Sequence, residues 1–255
     1  MWHFLRKLTG DRRTSDANRK LGLSLAFVAG ATNAGGFLAV DQYTSHMTGI
    51  ISSLADAVAV YDVAIVLTAL GSVAAFISGA AYSAILINWG RHHRTHSRYA
   101  YPLLWEAGLL LVFGLMGSTL ELKGGFIPIT VILLCFLMGL QNAIITKISN
   151  AEIRTTHMTG IVTDIGIELG KMVYLNSQEA SAHYQPVRAN WRRLGLLVSL
   201  LSAFFVGGVA GALGFKYVGY ASTLPLAGLL VVLAVVPLVD DVRTRTRLLM
   251  RARRR

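Results

Sequence analysis

The sequence predicts an all-α membrane protein: six transmembrane helices arranged as two inverted three-helix repeats. Three observations lead there. Six apolar runs are each long enough to cross a hydrocarbon core, which takes about 20 residues. All Lys and Arg residues except Lys123 and Lys216 then fall on one side of the chain's path. Finally, His-Met-Thr-Gly occurs once in each half, at His46–Gly49 and at His157–Gly160.

Composition narrows the class. Hydrophobic residues make up 54% of the chain and charged residues 15%, against about 25% charged in ordinary soluble domains. The net charge of +11 sits between apolar runs rather than on one face. It therefore points to the basic loops of a membrane protein, and nucleic acid is not an expected partner. The single cysteine, Cys135, lies inside an apolar run, so neither a disulfide framework nor a thiolate metal site is available. No cofactor is expected.

Residues 1–20 are polar and basic with no small-residue cleavage site, and read as a cytoplasmic tail before a signal-anchor helix. The first span is placed at 21–40 and holds Gly30-Ala31-Thr32-Asn33-Ala34. The first motif follows, then a helix-like segment at 50–60 that is too short to span. The second span, 63–88, carries Gly71, Ala75, Gly79 and Ser83 at four-residue spacing, a stripe that lets helices approach closely. A loop with His92, His93, His96 and three arginines reads as a solvated basic connection rather than a metal site. The third span is 101–120, where Glu106 beside Trp105 reads as interfacial.

The fourth span, 126–148, holds Gly139-Leu140-Gln141-Asn142-Ala143 and precedes the second motif, with a short segment at 161–175. The fifth span, 194–215, has a small-residue stripe at Ala203, Gly207 and Gly211. The sixth, 220–239, repeats the Ala-Gly-Leu-Leu of Ala107–Leu110 at Ala227–Leu230. A second basic tail fills 240–255. The repeats are thus 21–120 and 126–239. By the positive-inside rule both termini lie in the cytoplasm. Three spans per half is an odd number, so the second repeat enters the membrane from the opposite side to the first.

Two readings of the repeated stretch stay open. Thr48 and Thr159 can cap the helices that follow, with Gly49 and Gly160 admitting a close approach. If the two helix starts meet near the midplane, His46, Met47, Thr48, Gly49, His157, Met158, Thr159 and Gly160 converge on one polar or anionic site. Otherwise each stretch caps a helix lying along the surface. Asn33 and Asn142, inside the first and fourth spans, belong to the same candidate lining. His157, Asp164, Glu168 and Lys171 share an arc of about 60° on one helix face. Asp164 and Glu168 are candidates for proton coupling, and an amphipathic surface helix explains the same stripe.

On Gly30–Ala34 with Thr44–Gly49, and Gln141–Ala143 with Thr155–Gly160, the chain resembles the YoaK family of bacterial inner-membrane proteins. The resemblance covers residues 21–239. It implies a multi-pass protein of the inner (plasma) membrane and brings no established substrate or catalytic residue.

The function these features predict is a transporter or channel for a small polar or anionic solute, with the lipid bilayer as the other partner. A homo-oligomer is left open. One alternative is an intramembrane enzyme with His46 or His157 as general base, although no nucleophile or metal motif accompanies either. The other is a scaffold or lipid-binding protein using its basic tail.

Overall fold

The computed structural model describes residues 15–93, 98–120, 126–149, 153–174 and 186–252. Residues 1–14 and 253–255 of the tails, Arg94 and His96, and Lys123 lie outside them. The described residues form helices and turns, with no strand among them. The helices are α1 (Ser15–Val40), α2 (Met47–Ala59), α3 (Val63–His92) and α4 (Ala100–Leu120). In the second half are α5 (Phe126–Ile148), α6 (Met158–Val173), α7 (Trp191–Val218) and α8 (Thr223–Ala252). Five stretches are long and apolar enough to cross a membrane, and the last of them, Trp191–Val235, contains α7, a 3-10 turn and the first part of α8. That turn, Gly219–Ser222, starts at a glycine with φ +69°, a conformation glycine adopts without steric cost.

In lipid, helices gain little from burying apolar surface, so close backbone approach carries their association. Two crossings do this work. A methyl group at Gly30 of α1 would collide with the Phe204 carbonyl oxygen of α7, and one at Gly207 of α7 would collide with the Phe27 carbonyl. The same reciprocal contact joins α3 and α5: Gly79 faces the Phe136 carbonyl and Gly139 faces the Phe76 carbonyl. All four helices carry Phe-x-x-Gly at the crossing. Both pairs run parallel, since Gly35 of α1 meets Phe215 of α7 and Gly71 of α3 lies near Ile132 of α5.

Between these pairs α1 and α5 lie antiparallel. Gly22 approaches Ile145, Gln141 Nε2 donates to the Leu25 carbonyl at 3.1 Å, and Gly36 approaches Leu134. Helix α4 packs on α5 and α8, with Gly114 against Thr223 and Gly117 against the Tyr220 ring. The short helices pack on separate partners, α2 on α3 and α6 on α7. The interior between these layers is apolar, with Leu21, Leu25, Leu103, Leu137, Leu140 and Leu230 fully enclosed.

Candidate functional site

Each motif is built from the end of a long helix that turns back on itself. Helix α1 ends where Asp41 takes a left-handed conformation (φ 53°), which Asp tolerates better than most side chains. Its N–H closes the last turn on the Phe37 carbonyl at 2.8 Å, and Tyr43 stacks on the Phe37 ring at 4.5 Å. The returning chain is then tied down by Asn33, whose Oδ1 accepts from Ser45 Oγ at 2.8 Å and from Ser45 N–H at 3.3 Å. Thr44 is buried beside it, its carbonyl oxygen accepting from Cys135 Sγ of α5 at 3.5 Å.

The second motif repeats the device. Asn142 Oδ1 accepts from Thr156 Oγ1 at 2.8 Å, while its amide donates to the Met138 carbonyl at 2.8 Å. Thr155 is buried as Thr44 is. Ser149 closes the turn, donating to the Ile145 carbonyl at 2.8 Å and accepting from Ile153 N–H at 2.9 Å. Ile153 packs on Gly22 of α1.

Asn33 lies seven residues before the end of α1, and Asn142 six before the end of α5. At 1.5 Å per residue each motif therefore dips back about 10 Å alongside its own helix. The expectation is that the two helix starts meet; among the described residues α2 packs chiefly on α3 and α6 on α7 rather than closely on each other. The reason lies in the two asparagines. Asn142 adjoins Gln141, which is level with Leu25, and Asn33 is eight residues further along α1, about 12 Å in depth. Each motif is tethered on its own side of the crossings.

The cap assignment also changes. Helices α2 and α6 start at Met47 and Met158, so the N-caps are His46 and His157 rather than Thr48 and Thr159, and neither histidine side chain makes a capping hydrogen bond. The imidazoles instead fold over the first turn. A methyl group at Gly49 would collide with the His46 ring, and one at Gly160 with the His157 ring. The glycine thus admits the motif's own histidine. Both histidines, and Thr48 and Thr159, are exposed, while Met47 and Met158 are half-buried against the core. Beside the first motif lies an open cleft of about 590 Å³, lined by Phe37, Tyr43, His46, Gly49, Ser53 and Thr68 among others.

Asp164 and Glu168 bind α6 to the start of α7. Asp164 pairs with Arg193 at 2.9 Å. Glu168 accepts from Asn190 N–H at 2.7 Å and pairs with Lys171 at 2.9 Å. The Asn190 N–H, then Lys171, hold its carboxyl below the usual glutamate range.

Sequence reasoning read Glu106 as interfacial from its place near one end of the third span, and missed that the helix bundle encloses it. Its side chain is fully enclosed on the face of α4 that bears Leu103, Ala107, Leu110 and Phe113, while Trp105 faces outward. Neither carboxyl oxygen has a hydrogen-bond partner. Charge within an apolar run was the available signal. Its rotation towards the core was not legible until α4's neighbours were known.

Among the described residues no group of three His, Cys, Asp or Glu side chains gathers to hold a metal. His93 Nδ1 lies 2.9 Å from the Trp89 carbonyl, within its own helix turn.

The profile of a family described as "Protein of unknown function (DUF1275)" matches residues 21–236. The chain belongs to this family. It is also similar to a Bacillus subtilis (strain 168) protein named UPF0700 transmembrane protein YoaK, with 26% identity over 170 residues, 65% of this chain and 74% of that one. No solved structure matches. With its apolar helices, this makes it a multi-pass membrane protein whose family is of unknown function.

Proposed function

We propose that the chain is a six-span transporter or channel for a small polar or anionic solute, built as two inverted repeats with a pathway along their interface. The observation that carries this reading is the relation between α1 and α5. They hold the equivalent Asn and motif sequences, yet they lie antiparallel at the centre of the bundle. An in-plane pseudo-two-fold axis exchanges them, and it also exchanges the α1–α7 crossing with the α5–α3 crossing and α2 on α3 with α6 on α7. Trp191–Val235 counts as two crossings in this reading, because 45 residues of helix would be about 67 Å long.

Irregular backbone at membrane depth is tolerated where it lines a cavity. The first dipped turn borders a cleft, and both turns carry polar groups at equivalent places. The buried hydroxyls of Thr44 and Thr155 have no hydrogen-bond partner, and neither have Thr32 Oγ1 and Gln141 Oε1, which adjoin the two asparagines. The pathway therefore has two gates, His46 on the outer side and His157 on the cytoplasmic side, rather than one shared centre. Helix starts with free N–H groups favour a polar or anionic solute at each.

The test is osmotic swelling of proteoliposomes in potassium salts of small anions and in small polyols. The wild type admits at least one of them, and His46→Ala and His157→Ala each reduce the rate with folded protein in the membrane unchanged. Impermeability to the whole panel would sink the reading.

A further inference from the structure

We propose that Glu106 is a proton-binding site in the membrane interior, a carboxyl that takes up and releases a proton within the helix bundle. The surroundings of this carboxyl assign it that role independently of solute transport. Glu106 is fully enclosed, with both carboxyl oxygens unpartnered. A carboxylate in such a place carries an uncompensated charge, and burying one costs far more than burying a neutral polar group. Something must neutralise it, and a proton or a cation are the choices.

The neighbouring elements decide between them. A metal cation of the calcium or magnesium type needs about six oxygen ligands. Glu106 instead has Leu103, Ala107 and Leu110 along its own face, and no group of three His, Cys, Asp or Glu gathers among the described residues. Among the described residues no base forms a hydrogen bond with either carboxyl oxygen. Helix α3 presents Tyr82, which meets Trp105 edge-on at 5.4 Å, and carries Arg91 and His92 only at its exposed end. Helix α5 carries Cys135, engaged with Thr44, and Lys147 in its exposed last turn. The 3-10 turn brings Tyr220 against Gly117, three turns away along α4. Helix α8 has no titratable side chain from residue 223 to 239. A proton needs no further ligand, and it fits.

Glu106 has no counterpart in the other half. It precedes the Ala-Gly-Leu-Leu at Ala107–Leu110, and the residue preceding the same four at Ala227–Leu230 is Leu226. Among the described residues there is thus one such acid where a symmetric packing role would call for two. Ionisable groups inside a membrane protein are costly and mark proton or ion routes. Under the transport reading, this acid is the group through which solute movement is coupled to protons.

The experiment is labelling of the full-length protein in membranes with dicyclohexylcarbodiimide, an apolar reagent that reacts with the protonated acid. The acid O–H adds across one C=N bond, so the carboxyl oxygen bonds to the central carbon and the proton moves to nitrogen. An acyl shift from oxygen to nitrogen then leaves a stable N-acylurea with no leaving group. Peptide mapping by mass spectrometry should place one adduct on Glu106 at neutral pH, formed more slowly as the pH is raised and recovered on returning. Glu106→Gln should lose the adduct and Glu106→Asp should keep it; mapping on the wild type carries the test if either variant fails to fold. An absent adduct, or a rate that ignores pH, would overturn the proposal, the latter marking a sealed acid that never exchanges its proton. An adduct from a protein that admits no solute supports the proton site and sinks only the transport reading.

Discussion

In each motif an imidazole occupies the volume that a side chain at the third helical residue would need. His46 over Gly49 and His157 over Gly160 are therefore single units, each residue making sense only with the other. Gly49→Ala should push the exposed His46 ring off its rotamer at a cost of about 0.5–1.5 kcal/mol, read as a lower melting temperature in detergent. Adding His46→Ala should return most of that loss, because the two positions share one space and cannot behave additively. Gly166 of α6 is the control: a methyl there meets nothing within 4 Å. Gly166→Ala should be neutral or stabilise by about 0.5–1 kcal/mol through helix propensity. The four-residue motif was legible in the sequence as a repeat. Its internal logic was not, because a histidine folded over its own glycine is a fact of three-dimensional shape, and threonine at the second position imitates a cap.

Among the helices, the Phe-x-x-Gly crossings fix how the bundle closes. Substituting Gly30 or Gly139 by Ala drives a methyl into a carbonyl oxygen of the partner helix, and neither backbone can withdraw without opening the crossing. Either substitution should sharply reduce the folded fraction seen by size-exclusion profile, whereas Gly108→Ala, facing open space, should leave it unchanged.

The hold of α6 on α7 is electrostatic and depends on pH. The carboxyl of Glu168 is held below the usual range by the Asn190 N–H and Lys171. A depressed acid contributes stability that is present above its unfolded pKa and is lost as pH falls through the folded one. Hydrogen exchange in α6 should therefore quicken on acidification below the ordinary glutamate range. Glu168→Gln should make it fast already at neutral pH.

At this scale the small-residue stripe of the second span and Gly207 and Gly211 of the fifth announced the seams. Their pairing did not show, because nothing in a single helix says which neighbour its glycine meets. The bounds of α5 were readable in full, its apolar run ending at both sides in polar sequence, while α1 and α7 extend through polar residues that hydropathy leaves out.

For the whole molecule, odd span number and repeated sequence together predicted an inversion, and the proposal of two inverted repeats rests on the antiparallel course of α1 and α5. The depth of the motifs escaped the sequence because it depends on where Asn33 and Asn142 catch the returning chain. The central claim is that the two halves face opposite sides of the membrane. The equivalent exits of the short helices, Tyr61 after α2 and Tyr174 after α6, test it most directly, both being exposed. In a Cys135→Ala background, Tyr61→Cys and Tyr174→Cys would be treated with a membrane-impermeant maleimide in intact cells and in inverted vesicles. The inverted-repeat account predicts labelling of Tyr61→Cys in cells only and of Tyr174→Cys in inverted vesicles only. Labelling of both from the same side would contradict it.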